Sequence, residues 1–175
     1  MDSNTLRQNR LVFYEDLVRD INRVLREFLK LSGAKCAFLI DLEGHMVTRQ
    51  GATTNLDMDT IAALVAGSFA ATKEMARILG EEEFSVLFHQ GKKDNIQLSL
   101  VGDRTLLTVI FDDSTTVGMV RLYASQTSKR MGEIFRKHDA EREANRAAGL
   151  ASNDPDLADD FVGTAKHKLD DLFGG

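Results

Sequence analysis

The chain has 175 residues, 43% hydrophobic and 28% charged, which predicts one globular domain with a hydrophobic core. A formal net charge of −5 without a basic stripe argues against nucleic-acid binding, and no apolar run reaches the ~18 residues that cross a membrane. The N-terminal segment lacks the apolar stretch of a secretory signal and the single cysteine, Cys36, cannot form an internal disulfide, so we expect a cytoplasmic protein without membrane insertion.

The first half of the chain is predicted to form a helix, a hairpin and a second helix. Apolar residues recur with helical spacing over Leu17–Leu31, and Gly33 is expected to end this helix. A β-hairpin is predicted by KCAFLID and HMVTRQ, with LEG as the turn between them. The second helix is expected over about Met58–Leu79, with cap residues in TTNLDMDT and a stop at Gly80.

The second half is predicted to form three strands and a third helix. The strand segments are FSVLFHQ, NIQLSLV and TLLTVIFD, and the tight connections GKKD and GDR between them are typical of an antiparallel meander. A third helix would follow, capped by Asp112, Asp113 or Ser114. The order α-β-β-α-β-β-β-α predicts an α+β sandwich in which helices cover a five-stranded antiparallel sheet.

Composition divides the chain into four parts. We expect a flexible N-terminus, a folded domain, a flexible linker and a short C-terminal recognition helix over 1–10, 11–136, 137–160 and 161–175, respectively. The linker is charged, poor in large apolar residues and contains the only proline, Pro155, so we expect a helix extension that fades into a flexible segment. In the last segment Leu169, Leu172 and Phe173 are spaced as one face of a helical turn, which favours a tethered recognition motif over a frayed terminus.

The second helix has two faces of different character. On a helical wheel, large apolar residues fall on the side expected to pack against the sheet: Ile61, Leu64, Val65, Phe69, Met75 and Leu79. The opposite side carries small residues with a charged flank, and we predict that it binds a partner: Ala63, Ala66, Gly67, Ala70, Ala71, Lys73, Glu74 and Arg77. High helix propensity alone would explain the alanines, but a mid-helix glycine costs up to ~1 kcal/mol relative to alanine and therefore favours a contact surface.

The sequence offers no residues for catalysis, a cofactor or a metal. The histidines show no metal-ligand spacing among themselves or with Cys36, which we expect in the core of the first strand. Neither GxxxxGK[ST] nor GxGxxG occurs, and no nucleophile, base or metal cluster can be assembled for an enzyme. A small-molecule sensor would need a polar-lined cavity, whereas the strand faces are expected to be filled by Leu, Ile, Val and Phe.

The element order and several segments resemble the Roadblock family, named after a dynein light chain, and most closely its bacterial MglB branch. These segments are AFLIDLEGHMV, LVAGSFAATKEMARILGEEEF, HQGKKDNIQLSLVG, LLTVIFDDSTTVGMVRL and the ending LDDLFGG. The resemblance implies a homodimer that binds a Ras-like small GTPase of the MglA type, two protomers to one GTPase, and stimulates its GTP hydrolysis without inserting an arginine finger. It also implies a role in cell polarity and gliding motility, in the cytoplasm and with a cell pole as one location.

The same resemblance implies that the second helix contributes to the GTPase-binding surface and that the C-terminal helix is a second contact. Lys73 and Arg77 are then expected to be rim charges that steer the encounter, because neither lies on a flexible loop that could reach a nucleotide. A dimeric Roadblock adaptor for a GTPase or a motor, without activator function, is the alternative that the sequence leaves open.

Overall fold

The structure, a computed structural model, describes residues 15–151, with side chains described up to residue 144. Its elements are α1 (Glu15–Ser32), β1 (Cys36–Asp41), β2 (Met46–Gly51), α2 (Met58–Leu79), β3 (Val86–Gln90), β4 (Asn95–Val101), β5 (Thr105–Phe111) and α3 (Val117–Ala151). The predicted order and the α+β fold class are confirmed. No helix in the described part of the chain has a stretch long and apolar enough to cross a membrane.

The five strands form one antiparallel sheet in the order β2-β1-β5-β4-β3. Strand β5 lies at its centre, and every residue of β5 is buried. Strands β2 and β3 are the two edges. Because successive side chains of a strand point to opposite faces, the apolar residues of the central strands supply both faces of the sheet.

The core has two layers, one on each face of the sheet. On the first face α1 and α3 pack against β1, β4 and β5, with Phe28, Phe111 and Met131 among the fully buried side chains. On the second face α2 packs against the sheet, and Phe69 of this helix belongs to the same buried cluster as Phe38 of β1. Helices therefore cover both faces of the sheet, and α2 is the only described helix on its side.

The ends of α2 follow the sequence prediction. Asp57 caps the N-terminus, since its Oδ1 accepts from the Thr60 amide at 3.1 Å and its Oδ2 accepts from the Thr60 hydroxyl at 2.7 Å. These hydrogen bonds hold the pKa of the Asp57 carboxyl below its ordinary value. Gly80 ends the helix with φ +79°, the left-handed conformation that a glycine adopts without steric cost.

The predicted cap of α3 is wrong. Thr116, directly before the helix, receives the amide hydrogen bond from Met119 at 3.3 Å on its hydroxyl oxygen. Asp112 instead accepts from the Ser114 amide at 3.0 Å, which closes a turn at the end of β5. The Asp112, Asp113 and Ser114 segment thus ends the strand, and the cap lies two residues beyond it.

The structure describes the first part of the predicted linker. A first compact unit ends at Phe135, and a second begins at Arg136, where the described residues are helical up to Ala151. Residues 137–151 of the predicted linker are therefore the helix extension, because alanine, glutamate and arginine recur there and all three favour a helix. The predicted N-terminal segment 1–10 and the tail residues Leu169, Leu172 and Phe173 lie outside the described residues.

Cys36 is a core residue of β1, as predicted, with 1% of its surface exposed. Burial raises the pKa of its thiol to about 11. Since only the thiolate attacks a disulfide reagent, we expect no reaction of the native protein with Ellman's reagent at neutral pH and full reaction after unfolding in guanidinium. Absorbance of the released thionitrobenzoate measures this, and rapid stoichiometric release from the native protein would contradict the buried position.

Candidate protein interface on helix α2 and strand β3

Helix α2 exposes large apolar side chains on the face away from the sheet. The exposed fractions are 68% for Leu64, 51% for Met75, 73% for Ile78 and 70% for Leu79. Gly67 and Ala71 fall between them at spacings of three and four residues, so the six positions share one side of the helix. We call this set the α2 apolar stripe: Leu64, Gly67, Ala71, Met75, Ile78 and Leu79.

The stripe corrects the sequence prediction for α2. Leu64, Met75 and Leu79 were expected against the sheet, and Ala66 was expected on the outer face; both expectations are wrong. Ala66 is buried at 6% exposure and packs in the layer between the helix and the sheet. The wheel failed because α2 has more apolar residues than one face can bury, so side-chain size does not tell which of them face inward.

The rest of the predicted partner surface is also exposed. Gly67 and Ala71 belong to the stripe itself, and the remaining residues lie beside it: Ala63, Ala70, Lys73, Glu74 and Arg77. A Cβ built on Gly67 would have no heavy atom within 4 Å, so packing within the described chain does not require a glycine here. Small side chains at this point permit close approach of another backbone.

Glu74 and Arg77 form an ion pair on the same exposed surface. The Arg77 Nε lies 3.0 and 3.1 Å from the two carboxylate oxygens of Glu74, and Nη2 lies 2.5 Å from Oε1. The hydrogen bonds from Arg77 lower the pKa of the Glu74 carboxyl. The guanidinium is therefore held on its own helix, one turn from its partner, in keeping with a charge at the rim of an interface.

Strand β3 is an open edge of the sheet. It pairs with β4 on one side, and among the described residues no strand pairs with its other side. Val86 at its start is 48% exposed. An unpaired strand edge presents backbone donors and acceptors that another strand can pair with. We take this edge and the α2 apolar stripe as the two parts of the candidate interface.

One group of possible metal ligands was missed by the sequence analysis. Asp41, Glu43 and His45 place their ligand atoms within 4.8 Å of one another in the β1–β2 turn. Their spacing of two residues across a turn was the available signal. The same atoms already stabilise the turn, since Asp41 Oδ1 accepts from the Glu43 and His45 amides and Oδ2 lies 2.9 Å from His45 Nδ1. The hairpin geometry accounts for this cluster without an ion.

Comparison with known proteins relates the chain to one family. The sequence model of the Roadblock/LC7 domain matches residues 20–111, more than half of the chain. Myxococcus xanthus MglB is 39% identical over 67% of this chain and 96% of its own, with a TM-score of 0.65. The gliding protein MglB from Thermus thermophilus is 33% identical over 73% of this chain and 96% of its own, with a TM-score of 0.69.

A further MglB structure, described as having a tetrameric arrangement, is 32% identical over 73% of this chain and 96% of its own, with a TM-score of 0.69. A comparison with curated proteins gives no match. The domain match runs from α1 to β5, and the MglB structures share the fold over nearly their full length. The chain therefore belongs to the Roadblock/LC7 family.

Proposed function

We propose that this protein is a homodimeric, MglB-like regulator that binds a Ras-like GTPase of the MglA type and stimulates its GTP hydrolysis. The observation that carries the proposal is the α2 apolar stripe, in a chain 39% identical to an MglB. Full burial of one Leu, Ile or Met side chain contributes roughly 1.5–3 kcal/mol. A surface with several such side chains on one helix face is typical of a protein interface.

We assign the two parts of the candidate interface to two different contacts, the β3 edge to a second copy of the chain and the α2 apolar stripe to the GTPase. A second copy that pairs antiparallel along β3 would continue the sheet across a two-fold axis. Because α2 lies on one face of the sheet, this pairing would place the two α2 helices on the same side of the doubled sheet. The two stripes then face a common partner, which favours two protomers for one GTPase.

Activation in this proposal requires no catalytic residue from the regulator. A protein that binds the hydrolysis-competent GTPase more tightly than the ground state lowers the barrier. For phosphoryl transfer, this means ordering the switch loops, the attacking water and the charges around the phosphate. Arg77 is bound to Glu74 on a regular helix, so we assign it to the rim and propose that the GTPase supplies its own charges.

The tail is proposed as a second contact with the GTPase. Leu169, Leu172 and Phe173 would bind away from α2, at an effective concentration raised by their tether. Truncation after Pro155 should then lower the affinity for the GTPase, and an unchanged affinity would contradict this assignment. Through such binding the protein would act in cell polarity and gliding motility in the cytoplasm, with a cell pole as one site of action.

GTP turnover by a purified MglA-type GTPase, with and without this protein, tests the proposal. We expect stimulation, and we expect Arg77→Ala to keep it within about tenfold, since loss of an arginine finger costs about 10³–10⁵ in rate. Arg23→Ala is the matched control, because Arg23 on α1 forms a similar exposed pair with Asp20. Loss of stimulation with binding retained in Arg77→Ala would make Arg77 a finger. Binding without any stimulation would exclude activator function and favour the alternative, a dimeric Roadblock adaptor.

A further inference from the structure

A polar groove lies on the other face of the sheet, away from α2. Its volume is about 490 Å³, which is within the range of small-molecule sites. Its polar lining comes from β4 and α3 and includes Gln97, Ser99, Arg121 and Ser128, and its apolar lining comes from Leu100 of β4 and Val86 of β3. All of these residues belong to the first compact unit of the chain.

Strand β4 lines the groove with polar residues where its neighbour β5 is apolar. Gln97 is opposite Val109 and Ser99 is opposite Leu107 in the sheet register, so each pair shares a face. Gln97 is 1% exposed and Ser99 5%, because α3 covers this face. The expectation that apolar side chains fill the strand faces is therefore wrong at these two positions.

Two polar atoms in this region lack hydrogen-bond partners among the described residues. Gln97 Nε2 donates to Ser99 Oγ at 3.3 Å, but Gln97 Oε1 has no donor. Ser128 Oγ on α3 is also buried without a partner. A buried polar atom without a partner lowers the stability of a fold, and apolar residues of similar size would avoid that loss. A ligand with a hydrogen-bond donor and an acceptor would satisfy both atoms.

The charges around the groove favour a ligand with negative charge. Arg121 and Lys129 both line it, and none of the described lining residues is acidic. The Arg121 guanidinium lies 5.8 Å from the centre of the Phe88 ring, and Phe88 stacks on Phe111 with ring centres 6.1 Å apart. This contact restrains the planar guanidinium, whose paired N–H groups match a carboxylate or phosphate.

We infer that the groove binds a small organic oxyanion that also carries a hydroxyl or amino donor. Arg121 and Lys129 bind the oxyanion, Gln97 Oε1 accepts from the donor group, and the serine hydroxyls complete the hydrogen bonds. A phosphorylated metabolite and a carboxylated metabolite share this chemistry. The groove lies on the face of the sheet opposite to α2, and it borders the open edge of β3 at Val86.

Calorimetric titration of the full chain with glycerol 3-phosphate and with L-glutamate tests the site. We expect one of the two to bind at millimolar concentration or below, and the one that binds identifies the oxyanion as phosphate or carboxylate. Gln97→Met should weaken that affinity about tenfold or more, because it removes the acceptor. The same variant should unfold at a higher temperature, since it also removes a buried unpaired atom.

Gln50→Met is the matched control, because the half-buried Gln50 lies in β2 and donates to Asn22 at 3.0 Å. It should unfold at a lower temperature and bind the probe as the wild type does. Ser128→Ala provides a second variant on the α3 side and should also weaken binding. The inference is overturned if neither probe binds at millimolar concentration, or if the probe binds equally to the wild type, Gln97→Met and Ser128→Ala.

Discussion

Replacing Met75 with Glu should abolish tight binding of the GTPase while leaving the fold intact. Met75 is 51% exposed in the middle of the α2 apolar stripe, so a glutamate there keeps its charge in water in the free chain. Its effect on the free energy of unfolding should stay within about 0.5 kcal/mol. At an interface the same charge would be buried without a partner, and we expect affinity to fall at least about a hundredfold, or about 2.7 kcal/mol.

Leu122→Glu is the control for this substitution. Leu122 is also 51% exposed, but it lies on α3, on the other face of the sheet. Titration of each variant with the GTP-bound GTPase measures affinity, and urea unfolding reports the fold. Equal affinity of the wild type and Met75→Glu would exclude the α2 apolar stripe as the binding surface. Equal losses in both variants would indicate a general effect of added charge.

The second large effect distinguishes two alanines of α2 that are one helical turn apart, Ala66 and Ala70. Arginine at Ala66 must place a charge between α2 and the sheet, so we expect a loss of at least about 4 kcal/mol in the free energy of unfolding. That is a large part of the total stability of an ordinary domain. Arginine at Ala70 remains in water and should leave the fold intact, but it should weaken partner binding by its bulk.

Circular dichroism during urea unfolding measures the first effect, and titration with the GTPase measures the second. If Ala66→Arg is stable and loses only partner binding, Ala66 lies on the outer face, where the helical wheel placed it, and the buried position is contradicted. Normal binding by Ala70→Arg would show that the small residues are not part of the interface and that the larger side chains of the stripe make the contact.

The fold was predictable because its signals are local. Helical spacing identified α1 and α2, and Gly33 and Gly80 marked their ends correctly. Short apolar segments between turn residues located the five strands. These signals depend on backbone preferences that act within a few residues. The cap of α3 was missed because several residues before the helix can all accept amide hydrogen bonds, and only the helix phase decides between Asp112 and Thr116.

The candidate interface was only partly predictable. A wheel gives the angles between residues but not which direction points at the sheet, and both sides of α2 carry apolar residues. Ala66, which was expected on the outer face, is therefore buried, and Met75, which was expected against the sheet, is exposed. The polar groove was missed for a related reason, since alternation of Gln97 and Ser99 with leucines is ordinary in a sheet with one wet face. It becomes unusual only because α3 covers that face, and this covering depends on tertiary packing, which the local sequence pattern does not reveal.

The open edge of β3 has a thermodynamic consequence. If a second copy pairs along it, folding and association become one linked equilibrium, and mass action sets the population of folded chains. The melting temperature is then a property of the solution as well as of the sequence, and it rises with protein concentration. In a cell, the amount of this protein would determine how much of it is assembled and able to engage a GTPase.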